Sequence, residues 1–303
     1  ILADLTSRIA DALDRGTAPW VRPWSKPTLA LPTNGVRGNR YRGFNALLLM
    51  VEQDAKGYET SEWATYKAWS SVGGQVRKGE KGTQVTWWST FEVPDRDGKP
   101  GPDGKVRTRQ VPTMRLFTVF NRAQVDGLPE VEVPATPTLD PALRLTGAEE
   151  ALTVAGNRIG VGLQHGGGQA SYSPTFHAIR LPAYERFDSA PAYVQTWAHE
   201  LAHASGHPTC LDRPTLTETA GYGTETYARE ELVAELTSAL FLAMQGIDDP
   251  RTAEQTVAYC KGWSRAIRQD PDMFRRASSE AEKAFAFLFP DEADGADPDG
   301  ADA

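Results

Sequence analysis

The sequence is poor in cysteine: 303 residues contain only Cys210 and Cys260, and no C-x-x-C pair. Two thiols cannot build a disulfide framework, so a reducing, cytoplasmic setting is expected. No run of eighteen apolar residues occurs, so no membrane-spanning helix is expected. The opening ILADLTSRIADALDRG carries acids at Asp4, Asp11 and Asp14, unlike a signal peptide. Histidine is also scarce, at five residues.

The net charge of −8 is unevenly spread. Residues 1–130 hold 19 Lys+Arg against 14 Asp+Glu, a net +5, and the remainder holds 13 against 26, a net −13. Length and this asymmetry predict two domains with different partners. The expected fold class is α+β: a front α+β domain over 1–128, a Pro-rich linker over 129–144, a mainly helical domain with a small sheet over 145–289, and a disordered acidic tail over 290–303.

In the front part, helical spacing runs over residues 1–15 and again from Asn45 to Ala55. A third helix is expected from Thr60 or Ser61, carrying Trp63, Tyr66 and Trp69. TQVTWWSTFEV and TMRLFTVFN read as two strands of a hairpin. In the rear part, helices are expected near 147–157, after the Asp188–Ser189–Pro191 start signal with a stop at Gly206, over Thr226–Gln245, and over Ala253–Asp270. ASYSPTFHAIRLP reads as one strand.

The chemistry concentrates in WAHELAHASGH, residues 197–207, which contains H-E-x-x-H. Chance would place that pattern in such a chain about once in two hundred sequences. Residues four apart share a helix face, so His199 and His203 can aim at one Zn²⁺, with Glu200 beside them as general base. His207 lies beyond Gly206 and is not expected to ligate. The third ligand is sought in YAREELVAEL, where Glu231 and Glu235 are four apart on one face. Glu231 is taken as ligand and Glu235 as the carboxylate that orients a ligand histidine; the reverse order has the same spacing. Glu230 points about 100° away and is expected in solvent. Mn²⁺ or Co²⁺ are alternatives to zinc.

This arrangement resembles the gluzincin-type zincin metallopeptidases. The resemblance implies peptide hydrolysis in which the metal activates water and polarises the scissile carbonyl, while Glu200 moves the proton. It also implies an extended substrate pairing along ASYSPTFHAIRLP and an oxyanion donor at Tyr222 or Tyr227.

Six of the eight tryptophans precede residue 89, interleaved with arginine and lysine. Aromatic rings stack bases and cations follow phosphates, which suits single-stranded DNA. The residues expected on that surface are Trp20, Arg22, Trp24, Arg37, Arg40, Tyr41, Arg42, Asn45, Arg77, Lys78 and Lys81, with Trp63 and Trp87 expected in the core. The stretches PWVRPW, NGVRGNRYRGFNALLL and WATYKAWSSVGGQVRKGEKGTQVTWW resemble the single-stranded-DNA-binding domain of ArdC-type antirestriction proteins, shared with TraC-type plasmid primases. In that family it precedes a zincin-like domain with H-E-L-x-H and a YAREELVAE helix, and the likeness covers about residues 1–285. The resemblance implies a mobile-element protein that shields incoming DNA, with a DNA-bound protein or peptide as the metallopeptidase substrate and no membrane partner. Two other readings stay open: a DNA-binding protein whose zincin domain is only structural, and a metal-dependent nuclease. The front part is expected to bind single-stranded DNA by itself.

Overall fold

The structure, a computed structural model, describes residues 2–14, 31–94, 108–129, 141–217, 225–247 and 263–290. In the front part, α1 (Leu2–Asp14), β1 (Thr33–Asn34), α2 (Gly43–Lys56), β2 (Glu62–Thr65), α3 (Tyr66–Ser71) and β3 (Gln75–Val76) lead to the long strands β4 (Thr83–Pro94) and β5 (Thr108–Asn121), then to β6 (Val125–Asp126). The main sheet has the order β1-β2-β5-β4, antiparallel except for the β1–β2 pair.

The helix expected from Thr60 or Ser61 gives way to strand over Glu62–Thr65, because both sides of this segment are needed. Trp63 belongs to the cluster under α2, with Tyr41, Ala46, Leu49, Val85 and Val119. Its neighbour Ala64 belongs to the opposite cluster, with Trp69, Val76 and Val125. That alternation has the period of a strand. The helix begins only at Tyr66, where the Thr65 side chain accepts from the Ala68 N–H at 3.2 Å. The Trp69 indole lies so close over Gly35 that a β-carbon there would stand 2.2 Å from the ring, which restricts the position to glycine.

The rear part contains α4 (Pro141–Ile159), β7 (Gly162–His165), β8 (Ser171–Ser173), β9 (Ala178–Leu181), α5 (Ala190–Ala204), α6 (Pro214–Thr217), α7 (Glu225–Gln245), α8 (described over 263–269) and α9 (Pro271–Leu288). The expected strand over 170–182 is two strands. A turn at 174–177 separates them, with His177 at the left-handed φ of 43°. They join β7 in a sheet of order β7-β9-β8, with β8 as one edge strand. Neither β7 nor α9 was expected from the sequence. Of the helix expected over 253–270, residues 263–270 are described and 263–269 are helical. Of the linker expected over 129–144, residues 130–140 lie outside the described residues and 141–144 form the first turn of α4; the tail beyond 290 also lies outside them.

The two parts share a core. The α2 sequence FNALLLMV is apolar all round, the mark of a helix buried on more than one side. Ala46 and Leu49 face the front sheet, while Phe44, Leu47, Leu48, Met50 and Val51 join one large cluster. That cluster also holds Ile9 and Leu13 of α1, Leu232 and Leu236 of α7, and Phe274 and Phe285 of α9. A polar clamp adds to it. Glu282 of α9 accepts from Arg40 Nη2 at 2.7 Å and from the Gly43 N–H at 3.1 Å. Arg42, the residue before α2, makes no side-chain cap, so the cap comes from 239 residues away. α2 thus packs against the rear helices on one side and the front sheet on the other, beside two clusters formed by front residues alone.

Candidate metal centre and nucleic-acid surface

The metal helix α5 starts as the sequence indicates: the Ser189 side chain accepts from the Ala192 N–H at 3.3 Å, and Pro191 sits in the first turn. Tyr193, Val194, Trp197, Ala198 and Leu201 anchor one side in the core. This turns His199 and His203 toward α7. The two Nε2 atoms lie 3.2 Å apart. Glu231 of α7 approaches both, with Oε2 at 3.6 Å from His199 Nε2 and Oε1 at 3.5 Å from His203 Nε2. These three form the group of metal-ligating side chains that converges among the described residues. Ligand bonds of about 2.0–2.1 Å in a tetrahedron leave donor atoms roughly 3.3–3.4 Å from one another, so the observed separations fit a first-row divalent ion.

Each histidine has a carboxylate on its Nδ1 side. Glu235 Oε2 lies 3.8 Å from His199 Nδ1, near but beyond hydrogen-bond distance. His203 Nδ1 is held by Glu230 at 3.1 Å, which corrects the expectation that Glu230 is solvated. All of α7 from Leu232 to Leu240 is buried, so a side chain 100° off the metal face meets other helices, not water. Glu230 itself is 4% exposed.

Arg213 anchors Glu230 through Nε at 2.9 Å and Nη2 at 2.6 Å, and the Thr215 hydroxyl donates to it at 2.5 Å. Arg213 also donates to the Ala202 carbonyl and the Ser205 hydroxyl at the end of α5. Gly206 makes room for this guanidinium: a β-carbon there would stand 2.8 Å from Arg213 Cζ. The helix has already ended at Ala204, so the main role of Gly206 is space. Sequence spacing could not reveal Arg213. The long apolar stretch of α7 was the available sign that Glu230 is enclosed.

The electrostatics favour a cation at the convergence point. Burial works to raise the Glu230 pKa, but the hydrogen bonds and charges of His203 and Arg213 outweigh it and hold the carboxyl down to about 2. Burial likewise opposes ionisation of Glu231, yet the hydrogen bond from His199 and both imidazoles bring it below its usual range. His199 is pushed down by burial and more strongly up by Glu231, Glu235 and Glu200. Glu200 is raised, chiefly by burial, and its carboxylate also takes a hydrogen bond from the Tyr172 backbone on β8.

The site opens into a cleft of about 550 Å³ lined by Ser171 and Tyr172 of the edge strand, Thr196, Glu200, Tyr227 and Trp263. The Tyr227 side chain hydrogen-bonds Glu231, which makes it a ligand-orienting group; Tyr222, the other expected oxyanion donor, lies outside the described residues. His177, unassigned from sequence, fixes the edge strand. Its Nδ1 meets the Tyr172 hydroxyl at 2.8 Å and its Nε2 meets the Ile159 carbonyl at 3.0 Å. His207 stacks on His177 with ring centroids 4.1 Å apart and does not join the metal group.

The expected DNA-binding residues divide. Arg37, Lys78 and Lys81 are exposed and Arg42 is half-buried. Arg77 is exposed but pairs with Glu80 at 2.8 Å and Asp126 at 3.3 Å. Three residues make contacts within the fold. Arg40 pairs with Glu282 and lies over the Phe285 ring. Tyr41 is 4% exposed and donates to the Trp63 carbonyl. Asn45 bonds both the N–H and the C=O of Thr86, closing the outer edge of β4. Trp20, Arg22 and Trp24 lie outside the described residues.

Comparison with known proteins accounts for both parts. Residues 1–120 match the N-terminal domain of anti-restriction factor ArdC, and residues 150–280 match a zincin-like metallopeptidase. Two DNA primases TraC from Escherichia coli are 37% and 38% identical over 94% of this chain, which spans only 19% and 26% of their lengths. An uncharacterized protein, y4eC, from Sinorhizobium fredii (strain NBRC 101917 / NGR234) is 33% identical over 96% of this chain and 92% of its own. The metal-free crystal structure of antirestriction ArdC from the R388 plasmid superposes with a TM-score of 0.74 at 32% identity, over 97% of this chain and 98% of that one. Its Mn(II)-bound form gives 0.74 at 31%, over 98% and 99%. Matched nearly end to end, with both domains in the same order, this chain belongs to the ArdC antirestriction family.

Proposed function

We propose that the chain binds single-stranded DNA through its front part and hydrolyses a peptide in the rear cleft, the two serving antirestriction. The observation that carries the peptidase reading is the cleft wall. Glu200, Glu230, Glu231 and Glu235 line it, with Arg213 paired to Glu230 behind them. A phosphodiester backbone is repelled by such a wall, whereas a neutral extended peptide can add to the edge strand β8 beside it.

His199, His203 and Glu231 would hold Zn²⁺, Mn²⁺ or Co²⁺. Two imidazoles and a carboxylate suit Zn²⁺ well, and the R388 relative was solved with Mn(II). When bound, such an ion supplies a Lewis acid that polarises a carbonyl and acidifies water. Glu200, buried beside the first ligand, takes the proton of the attacking water and passes it to the leaving amine as the C–N bond breaks. Glu230 and Glu235 keep both imidazoles turned with Nε2 forward. The donor set weighs against a nuclease, which gathers hard oxygen ligands.

The test is hydrolysis of a fluorogenic peptide library by the full chain loaded with Zn²⁺ or Mn²⁺. The peptidase reading expects cleavage that chelation stops and Glu200→Gln reduces by about 10²-fold or more. Undiminished cleavage in Glu200→Gln would contradict the assigned base. No cleavage by any metal form would favour a structural zincin domain.

A further inference from the structure

The sequence places Trp87 in the core, and the structure leaves it half-buried. The inner face of the β4–β5 hairpin explains why. Along it, Val119 and Val85 are 2% and 3% exposed under α2, and Phe117 packs at the margin of their cluster. Trp87 is the next residue on that face, beyond the cover of the helix, and meets Phe117 edge to face with centroids 6.5 Å apart. Directly across the ladder from Trp87 stands Arg115, exposed, its guanidinium 5.7 Å from the indole centroid. Arg40, Arg77 and Arg122 are paired to Glu282, Glu80 and Glu62. Arg115 has no carboxylate partner among the described residues. Trp63 and Trp69, in contrast, are fully buried.

We infer that Trp87, Phe117 and Arg115 form a stacking platform for one base of a single-stranded nucleic acid. The base lies on the open part of the indole, with Phe117 bracing the ring, and Arg115 takes the adjoining phosphate. An exposed cation beside a half-buried aromatic at a sheet margin is the pairing that single-strand binders use. A duplex, whose bases are already stacked, cannot use it. This inference rests on the single-stranded-DNA reading above and names its contact surface.

The experiment is fluorescence anisotropy of a labelled oligothymidylate with the full chain at several salt concentrations, with thermal melting recorded alongside. Trp87→Ala should weaken binding by about tenfold or more with its melting temperature near wild type, and Trp87→Phe should recover most of that loss. Arg115→Gln, a surface change, should lower both the affinity and the salt slope, the latter by about 0.7, as one lost phosphate contact on a single strand requires. If wild type binds while Arg115→Gln and Trp87→Ala keep affinities within twofold, the platform is overturned and the broader DNA reading stands. Should Trp87→Ala not fold, an unchanged salt slope in Arg115→Gln overturns the platform by itself. Equal losses on duplex and single strand also overturn it. Wild type that binds no single strand removes both readings.

Discussion

The front part scatters its cations and pairs several of them with acids, whereas the rear part gathers carboxylates into one cleft. Arg40, Arg77 and Arg122 each end on an acid, so the +5 of residues 1–130 overstates what is open to a phosphate. Glu200, Glu231 and Glu235 converge within the rear cleft beside two histidines, and Glu230 behind them is paired to Arg213. Paired charge on a surface contributes little and selects nothing strongly. Carboxylates and imidazoles enclosed around one point attract a cation, which fits the convergence of His199, His203 and Glu231, whereas on the front surface the exposed cations matter most.

The sharpest way to break the contrast is to dismantle the rear site. His199→Ala or His203→Ala should remove about one bound metal per chain in elemental analysis, and His207→Ala should keep it. Full retention in either of the first two would show that the ion sits elsewhere.

The buried anchor comes next. Arg213→Ala leaves Glu230 enclosed without its guanidinium, and removal of one partner from a buried pair costs about 3–5 kcal/mol. In melting, that is a drop of roughly 5–8 °C for a chain of this length. The same anchor sets an acid limb. The folded pKa of Glu230 is depressed to about 2 from the ordinary 4.5, so its stabilisation is full above about pH 4.5 and lost as pH falls toward 2. Metal-stripped Glu230→Gln should show a shallower fall in stability across that window than wild type.

The sequence made His199 and His203 legible because helix periodicity puts them on one face, and it narrowed the third ligand to Glu231 or Glu235, of which Glu231 joins the converging group. It could not show Glu230 or Arg213 at work, since their contacts depend on which elements cover α7. The front was legible in its strands and aromatic content. It was not legible in exposure: Tyr41 and Asn45 sit in a basic, glycine-rich stretch yet serve the fold, while Trp87 alternates like a core residue yet outruns its helix. The shared core was hidden for the same reason, since nothing local ties Glu282 to Gly43.

That joint gives a smaller effect. Glu282→Ala removes the partner of Arg40 and the cap of α2, an expected loss of about 1–3 kcal/mol. Calorimetry should still show one transition. Two separate transitions in wild type would mean that front and rear unfold independently, against the shared core.

The smallest effect tests the central claim, that nucleic acid and metal occupy different parts of the molecule. Glu200→Ala removes one carboxylate from the rear cleft and no cation from the front. A charge felt across more than about 8–10 Å of salt solution is largely screened. Anisotropy of a labelled single strand, measured at fixed ionic strength on metal-loaded wild type and Glu200→Ala, should give affinities within twofold. If Glu200→Ala abolishes binding while the Arg115 and Trp87 variants bind as wild type does, the strand lies in the metal cleft and the division of labour proposed between the two parts is wrong.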